Sequence, residues 1–172
     1  ASQQWVSKLK QLNVFNSIDT IKIDLYGSLS LTGKGHATDT AIILGLHGFD
    51  PESIIIEDIQ SIINTIKNTN HLSLNNEKMI SFHYSDISFN LNFLPFHSNG
   101  LTFTGYASNK TVISSETYYS IGGGFVIQNS ENNPILKTTI KFPFPINKAS
   151  ELEKYCDQEN KKISDIVFKN EL

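Results

Sequence analysis

The apolar residues of this chain change period at His71, and that change sets the fold class. Before His71 the repeat is mostly helical. Trp5, Val6, Leu9 and Leu12 share one face of a helix over residues 2–12. Ile55, Ile59, Ile62, Ile63 and Ile66 do the same in a helix from about residue 57 to 68. From His71 onward the repeat is two. Residues 79–84, 87–93, 101–107, 111–121, 125–129 and 138–142 read as strands. Asn75-Asn76 and the Asn/Ser cluster at 130–133 separate such runs and suit hairpin turns. Strands that follow one another through short turns pair antiparallel. The expected fold is therefore α+β, with a largely antiparallel sheet covered on one face by helices.

Two more elements belong to the first part. Ile21, Ile23 and Leu25 alternate with Lys22, Asp24 and Tyr26, which is a half-buried strand ending near Gly27-Ser28. A glycine loop follows. Thr38 or Asp39 is then placed to cap a helix through Ala41, Ile42 and Leu44, closed by Gly45 or Gly48. Pro143 and Pro145 end the last strand, and residues 149–158 and 163–172 return to helical spacing.

At 172 residues the chain is long enough for one domain with a sizeable core. The net charge is −3 with both signs interspersed, which offers nucleic acid no basic face. No apolar run approaches membrane-spanning length. Cys156 is the single cysteine, so no internal disulfide, iron–sulfur cluster or structural zinc can be held by cysteines of this chain. That usage suits a reducing cytoplasm. Ala1 opens directly in a helical pattern, and Glu171-Leu172 stop inside another. The chain reads as a fragment of a longer polypeptide.

Three glycine-marked segments carry the chemistry. Residues 118–125 read YYSIGGGF, 31–39 read LTGKGHATD and 94–101 read LPFHSNGL. Each glycine costs backbone entropy when ordered, so three in a row mark a sharp bend or a close approach. Each segment also offers a His or Ser, as a pocket built from loops would. The familiar motifs fail. Gly33-Lys34-Gly35-His36 lacks the Lys-Ser/Thr of a phosphate loop and the third glycine of a dinucleotide fingerprint. Ser120 is preceded two residues earlier by Tyr118, not by the glycine of a hydrolase elbow. Taken alone, the segment 31–39 is most simply a strand-to-helix turn with an exposed histidine. A backbone-lined turn there would also suit a substrate carboxylate. Alternation in an extended segment would point His97 and Asn99 to one side. His47, His71 and His83 carry no pattern, and Cys156 reads as a packed thiol.

Together the stretches LYGSLSLTGKGHATDTAIILGL (25–46), LPFHSNG (94–100) and YYSIGGGFV (118–126) resemble the β domain of the iron–sulfur-dependent bacterial L-serine dehydratases, in the family's order. The resemblance covers nearly the whole chain. It departs at Leu101, where the family usually has methionine, and in lacking the family's segment upstream of the first helix. It implies residues 1–160 as the β domain and 161–172 as the start of a connection to a missing α domain. It implies a mixed sheet similar to the allosteric substrate-binding domain of phosphoglycerate dehydrogenase. The implied reaction is L-serine to pyruvate and ammonia, a step of amino-acid degradation feeding gluconeogenesis.

Hydroxide is a poor leaving group, and the family answers with a [4Fe–4S] cluster acting as Lewis acid, its ligands in the missing domain. The resemblance implies His36 as the catalytic base. It also implies His97, Asn99 and Ser120 as substrate-binding groups aimed at the carboxylate, with Gly122, Gly123 and Gly124 admitting the backbone. It further implies no metal or cofactor in this chain, a homodimer of the full-length enzyme, and inactivity of this chain alone. Two competing readings stand beside it: a non-catalytic serine-sensing or assembly module, and a stand-alone binding domain.

Overall fold

The computed structural model describes residues 1–33, 35–129, 142–146 and 148–171. It divides into two compact units, Ala1–Asn133 and Pro134–Leu172. No helix among the described residues is long and apolar enough to cross a membrane.

The first unit holds helices α1 (Ser2–Gln11), α2 (Ser28–Gly33), α3 (Thr38–His47) and α4 (Ile56–Thr69). Its strands are β1 (Thr20–Gly27), β2 (His71–Leu74), β3 (Lys78–Ser81), β4 (Ile87–Asn90), β5 (Asn99–Tyr106), β6 (Val112–Gly122) and β7 (Phe125–Gln128). They form one sheet in the order β2-β3-β1-β5-β6-β7, with β4 also on β1. β1 pairs antiparallel with β5, whereas β4 runs parallel to it, matching Ile23 to Ile87 and Tyr26 to Asn90. β3 meets the same strand only at Thr20 and Ser81. The sheet is mixed and mostly antiparallel, and the fold is the α+β one expected from the period change.

Side-chain alternation sorts the two faces. Ile21, Ile23, Leu25, Leu101, Phe103 and Tyr118 point to the core side and are buried. On the other face Thr102 bonds Thr117 at 2.8 Å and Lys22 pairs with Asp24 at 3.0 Å. Trp5 of α1 stacks on Phe103 with ring centroids 5.1 Å apart, and its Nε1–H donates to Ser114 Oγ at 3.3 Å. Full burial of a large apolar side chain contributes about 1.5–3 kcal/mol, so this helix-on-sheet contact anchors α1 firmly.

Three local readings need correction. Residues 28–33 form the short helix α2, where the sequence suggests the end of a strand and a loop. Leu29 packs against the core, which holds a helix too short to show a period. Neither Thr38 nor Asp39 caps α3. The cap position is Ala37, in the left-handed region at φ 53°, with no side-chain bond, and Gly48 closes the helix. The strands read at 79–84 and 87–93 stop short, at Ser81 and Asn90, and a 3-10 turn, Tyr84–Asp86, separates β3 from β4. The hairpin at Asn75-Asn76 is present, both residues having positive φ. The strand at 138–142 and the turn at 130–133 lie outside the described residues, apart from Phe142.

The second unit contains α5 (Ala149–Glu159) and α6 (Ile163–Glu171). Phe144 meets the edge of Tyr155 at 5.4 Å, and its backbone exchanges two hydrogen bonds with the Asn170 amide. Cys156 is half-buried in α5.

Candidate active site

The site is best built from the end of β1. Gly27 has φ +54°, and a Cβ there would lie 2.4 Å from the Ser98 carbonyl oxygen and 2.7 Å from the Phe93 ring. Only glycine fits both demands. The chain turns there into α2. The Gly27 N–H donates to the Asn92 carbonyl and the Ser28 N–H to the Ser98 carbonyl, each at 2.9 Å. These bonds pin the loop of residues 91–98 over the strand end.

β5 begins at that point, with Asn99 paired to Gly27. Alternation puts Asn99 on the same face as Leu101 and Phe103. Its Nδ2–H donates to the Ser120 carbonyl at 3.3 Å, and its own N–H donates to His97 Nδ1 at 3.1 Å. Residues 97 and 98 precede β5, so strand alternation does not govern His97; its ring folds back onto the backbone. His97, Asn99 and Ser120, distant in sequence, thus meet at one half-buried corner.

The glycine run belongs to the neighbouring hairpin. Gly122 pairs with Phe125, leaving Gly123 and Gly124 as a two-residue turn with φ +59° and +80°. Positive φ at both central residues is the turn type that matches strand twist. Register slips between Ser120 and Gly122 as the run begins. All three glycines are exposed, and no described residue lies within 4 Å of a Cβ placed on Gly122 or Gly124. The bend itself accounts for them.

His36 sits elsewhere. It is exposed and lines a groove of about 530 Å3 with Thr40, Leu44, Phe49, Asp50 and Ile59, among others. None of His97, Asn99 or Ser120 lines that groove. The link between the two places is α2, whose six residues span roughly 9 Å. It starts at the pinned corner and ends at the turn carrying His36, where the His36 N–H donates to the Thr32 carbonyl at 3.1 Å. A larger groove, about 700 Å3, lies between α1 and β6–β7, but contains none of these residues. The corner and the His36 groove remain the candidate site because they hold the groups able to bind a carboxylate and move a proton.

Two residues here had no sequence signal as functional groups. Gly27 read only as a strand end. Asp39 read as a cap; it is 8% exposed, its Oδ1 accepting the Thr40 N–H at 2.9 Å and its Oδ2 the Tyr84 hydroxyl. Burial, helped by the Glu116 charge, pushes the Tyr118 hydroxyl up to about 12, and burial lowers His47. With one cysteine, and no group of three or more His, Cys, Asp or Glu side chains placed to hold a metal among the described residues, this chain does not fit an iron–sulfur cluster by itself.

Comparison with known proteins agrees with the stretches singled out above. Residues 1–131 match the family model described as serine dehydratase beta chain. L-serine dehydratase of Haemophilus influenzae is 36% identical over 174 residues, covering 100% of this chain and 38% of its own length. L-serine dehydratase 2 of Escherichia coli has the same identity and coverage. L-serine dehydratase of Streptomyces coelicolor is 31% identical over 177 residues, covering 99% of this chain and 38% of its own length. The chain therefore spans well under half the length of these curated relatives. On the family match and the coverage of this whole chain, it belongs to the serine dehydratase beta chain family.

Proposed function

We propose that this chain is the β domain of an enzyme converting L-serine to pyruvate and ammonia, and that it supplies substrate-binding and proton-transfer groups. The observation that carries this is the corner at which Asn99 bonds both His97 and the Ser120 backbone. His97 Nδ1 accepts the Asn99 N–H, so the neutral ring carries its proton on Nε2. That leaves a donor and no free basic nitrogen. His97 therefore suits a carboxylate, with the Ser120 hydroxyl and the Asn99 amide as further donors. His36 donates or accepts no side-chain hydrogen bond among the described residues and is the freer base.

In the proposed reaction His36 takes the Cα proton as the Cβ–O bond breaks, and the departing hydroxide takes up one proton, balancing the one His36 has gained, to leave as water. The resulting enamine tautomerises to an imine, which water hydrolyses to pyruvate and ammonia. The carboxylate must be held still while the proton is removed, and positioned groups contribute most when their geometry is fixed beforehand. An iron–sulfur centre, where present, would lie in the remaining part of the polypeptide and assist departure of the hydroxyl. The same reading includes a dimeric, cytoplasmic enzyme.

The test is pyruvate formation from L-serine by the full-length protein and its Asn99→Ala variant. Full-length turnover is expected, with KM raised about 10-fold in the variant for a lost bond to a charged group. This chain alone is expected to show none. Turnover with unchanged KM, but an altered response to added serine, would favour the sensing module instead.

A further inference from the structure

The turn that carries His36 has few bonds of its own: the His36 N–H donates to the Thr32 carbonyl and the Ala41 N–H to the Ala37 carbonyl. It lies between α2 and α3, and Ala37 occupies the left-handed region at φ 53°, which disfavours any residue with a Cβ. No side chain among the described residues caps the following helix. A half-buried bond lies three residues beyond His36. Asp39, in the first turn of α3, accepts the Tyr84 hydroxyl. Tyr84 opens the 3-10 turn that interrupts the sheet between β3 and β4. That turn is itself fastened, because the His83 N–H donates to Asp86 Oδ2 at 2.7 Å. Tyr84 packs on the core, and Lys67 of α4 places its ammonium 4.2 Å from the ring centroid. A carboxylate as buried as Asp39 is costly unless it is bonded, so the bond to Tyr84 fixes where α3 begins.

We propose that Tyr84 is a positioning residue for the proton-transfer step. Through Asp39 it holds the α2–α3 turn in the conformation that presents His36 to the substrate. The inference rests on the reading of His36 as the base. Tyr84 touches no reacting atom; its effect passes through Asp39 and the backbone of residues 36–39. Loss of its hydroxyl leaves the ring, the contact with the core and the Lys67 ammonium in place, and removes only the donor to Asp39. A misplacement of about 1 Å in a reacting group lowers rate by up to about 100-fold without touching substrate affinity.

The experiment compares four full-length enzymes, normalised to iron content: wild type, Tyr84→Phe, His36→Ala and the double variant. Pyruvate formation gives kcat and KM, and thermal melting reports folding. Tyr84→Phe is expected to lower kcat roughly 10- to 100-fold, with KM within about threefold of wild type. In the His36→Ala background the same change is expected to lower kcat no further, because its effect passes through the missing imidazole. A kcat for Tyr84→Phe equal to wild type would overturn the proposal. So would an equal loss in both backgrounds, which is the mark of general destabilisation. If Tyr84→Phe melts early, Asp39→Asn is measured in the same two backgrounds, with the same criterion. A His36→Ala enzyme with wild-type kcat overturns the base assignment itself, and is a separate result from failure of Tyr84 alone.

Discussion

The corner at Asn99 and the turn at His36 are held by different forces. Asn99 is fixed by its place in the sheet: Gly27 pairs it on one side, and Gly100 beside it pairs with Tyr119 on the other. Its geometry follows from strand register, which the buried faces of β1, β5 and β6 fix and single changes on the solvent face hardly move. His36 stands on a turn after a six-residue helix, beside a left-handed alanine, steadied by the Asp39–Tyr84 bond. The lesson is that the corner proposed to bind the carboxylate is inherited from a sheet, whereas placement of the proposed base depends on a few side chains and is more easily lost.

The sharpest way to break the contrast is at Gly27. In Gly27→Ala the new Cβ meets the Ser98 carbonyl at 2.4 Å from a backbone at φ +54°. A loss of about 3 kcal/mol or more is expected in denaturant unfolding of this polypeptide. A loss below about 1 kcal/mol would mean that the corner is not locked there. At the turn the opposite sign is expected. Ala37→Gly removes the left-handed penalty at φ 53° and adds flexibility to the unfolded chain. The net gain should be about 0.5–1 kcal/mol by the same unfolding measurement.

Smaller effects sharpen the comparison further. Tyr118, two residues from Ser120, has a buried hydroxyl with no hydrogen-bond partner among the described residues. Tyr118→Phe should leave stability within about 1 kcal/mol of wild type, or raise it, since an unpaired buried donor contributes nothing favourable. A loss above about 2 kcal/mol would show that the hydroxyl is bonded. The smallest effect is at the far end of α3, where burial lowers the His47 pKa. A lowered folded pKa means that its contribution is complete above the unfolded value, about 6.5, and is lost as pH falls through the folded value. Unfolding followed from pH 8 to 5 should show this slope, and His47→Gln should flatten it.

The sheet was legible because one of its faces meets water. Thr102, Thr104, Ser115 and Thr117 alternate with Leu101, Phe103 and Tyr118, so β5 and β6 announce themselves at a period of two. The glycine hairpin was legible as a bend for a similarly local reason. The meeting of Asn99 and Ser120 needed the register of β5 on β6, which turn signals bound only loosely. What stayed hidden is tertiary. Residues 28–33 are too few to display a helical repeat. Nothing in the alternation of residues 79–84 announces the 3-10 turn that interrupts them. Asp39 and Tyr84 are 45 positions apart, and neither looks unusual until the fold brings them together.

The most direct measurement is kcat of the full-length His36→Ala enzyme, normalised to iron content, beside His97→Ala. His36→Ala is expected to lose about 10²–10⁴-fold in kcat, as removal of a general base does. His97→Ala is expected to raise KM more than it lowers kcat. A His36→Ala enzyme that keeps near-normal kcat while His97→Ala abolishes turnover would contradict this division of labour between the turn and the corner.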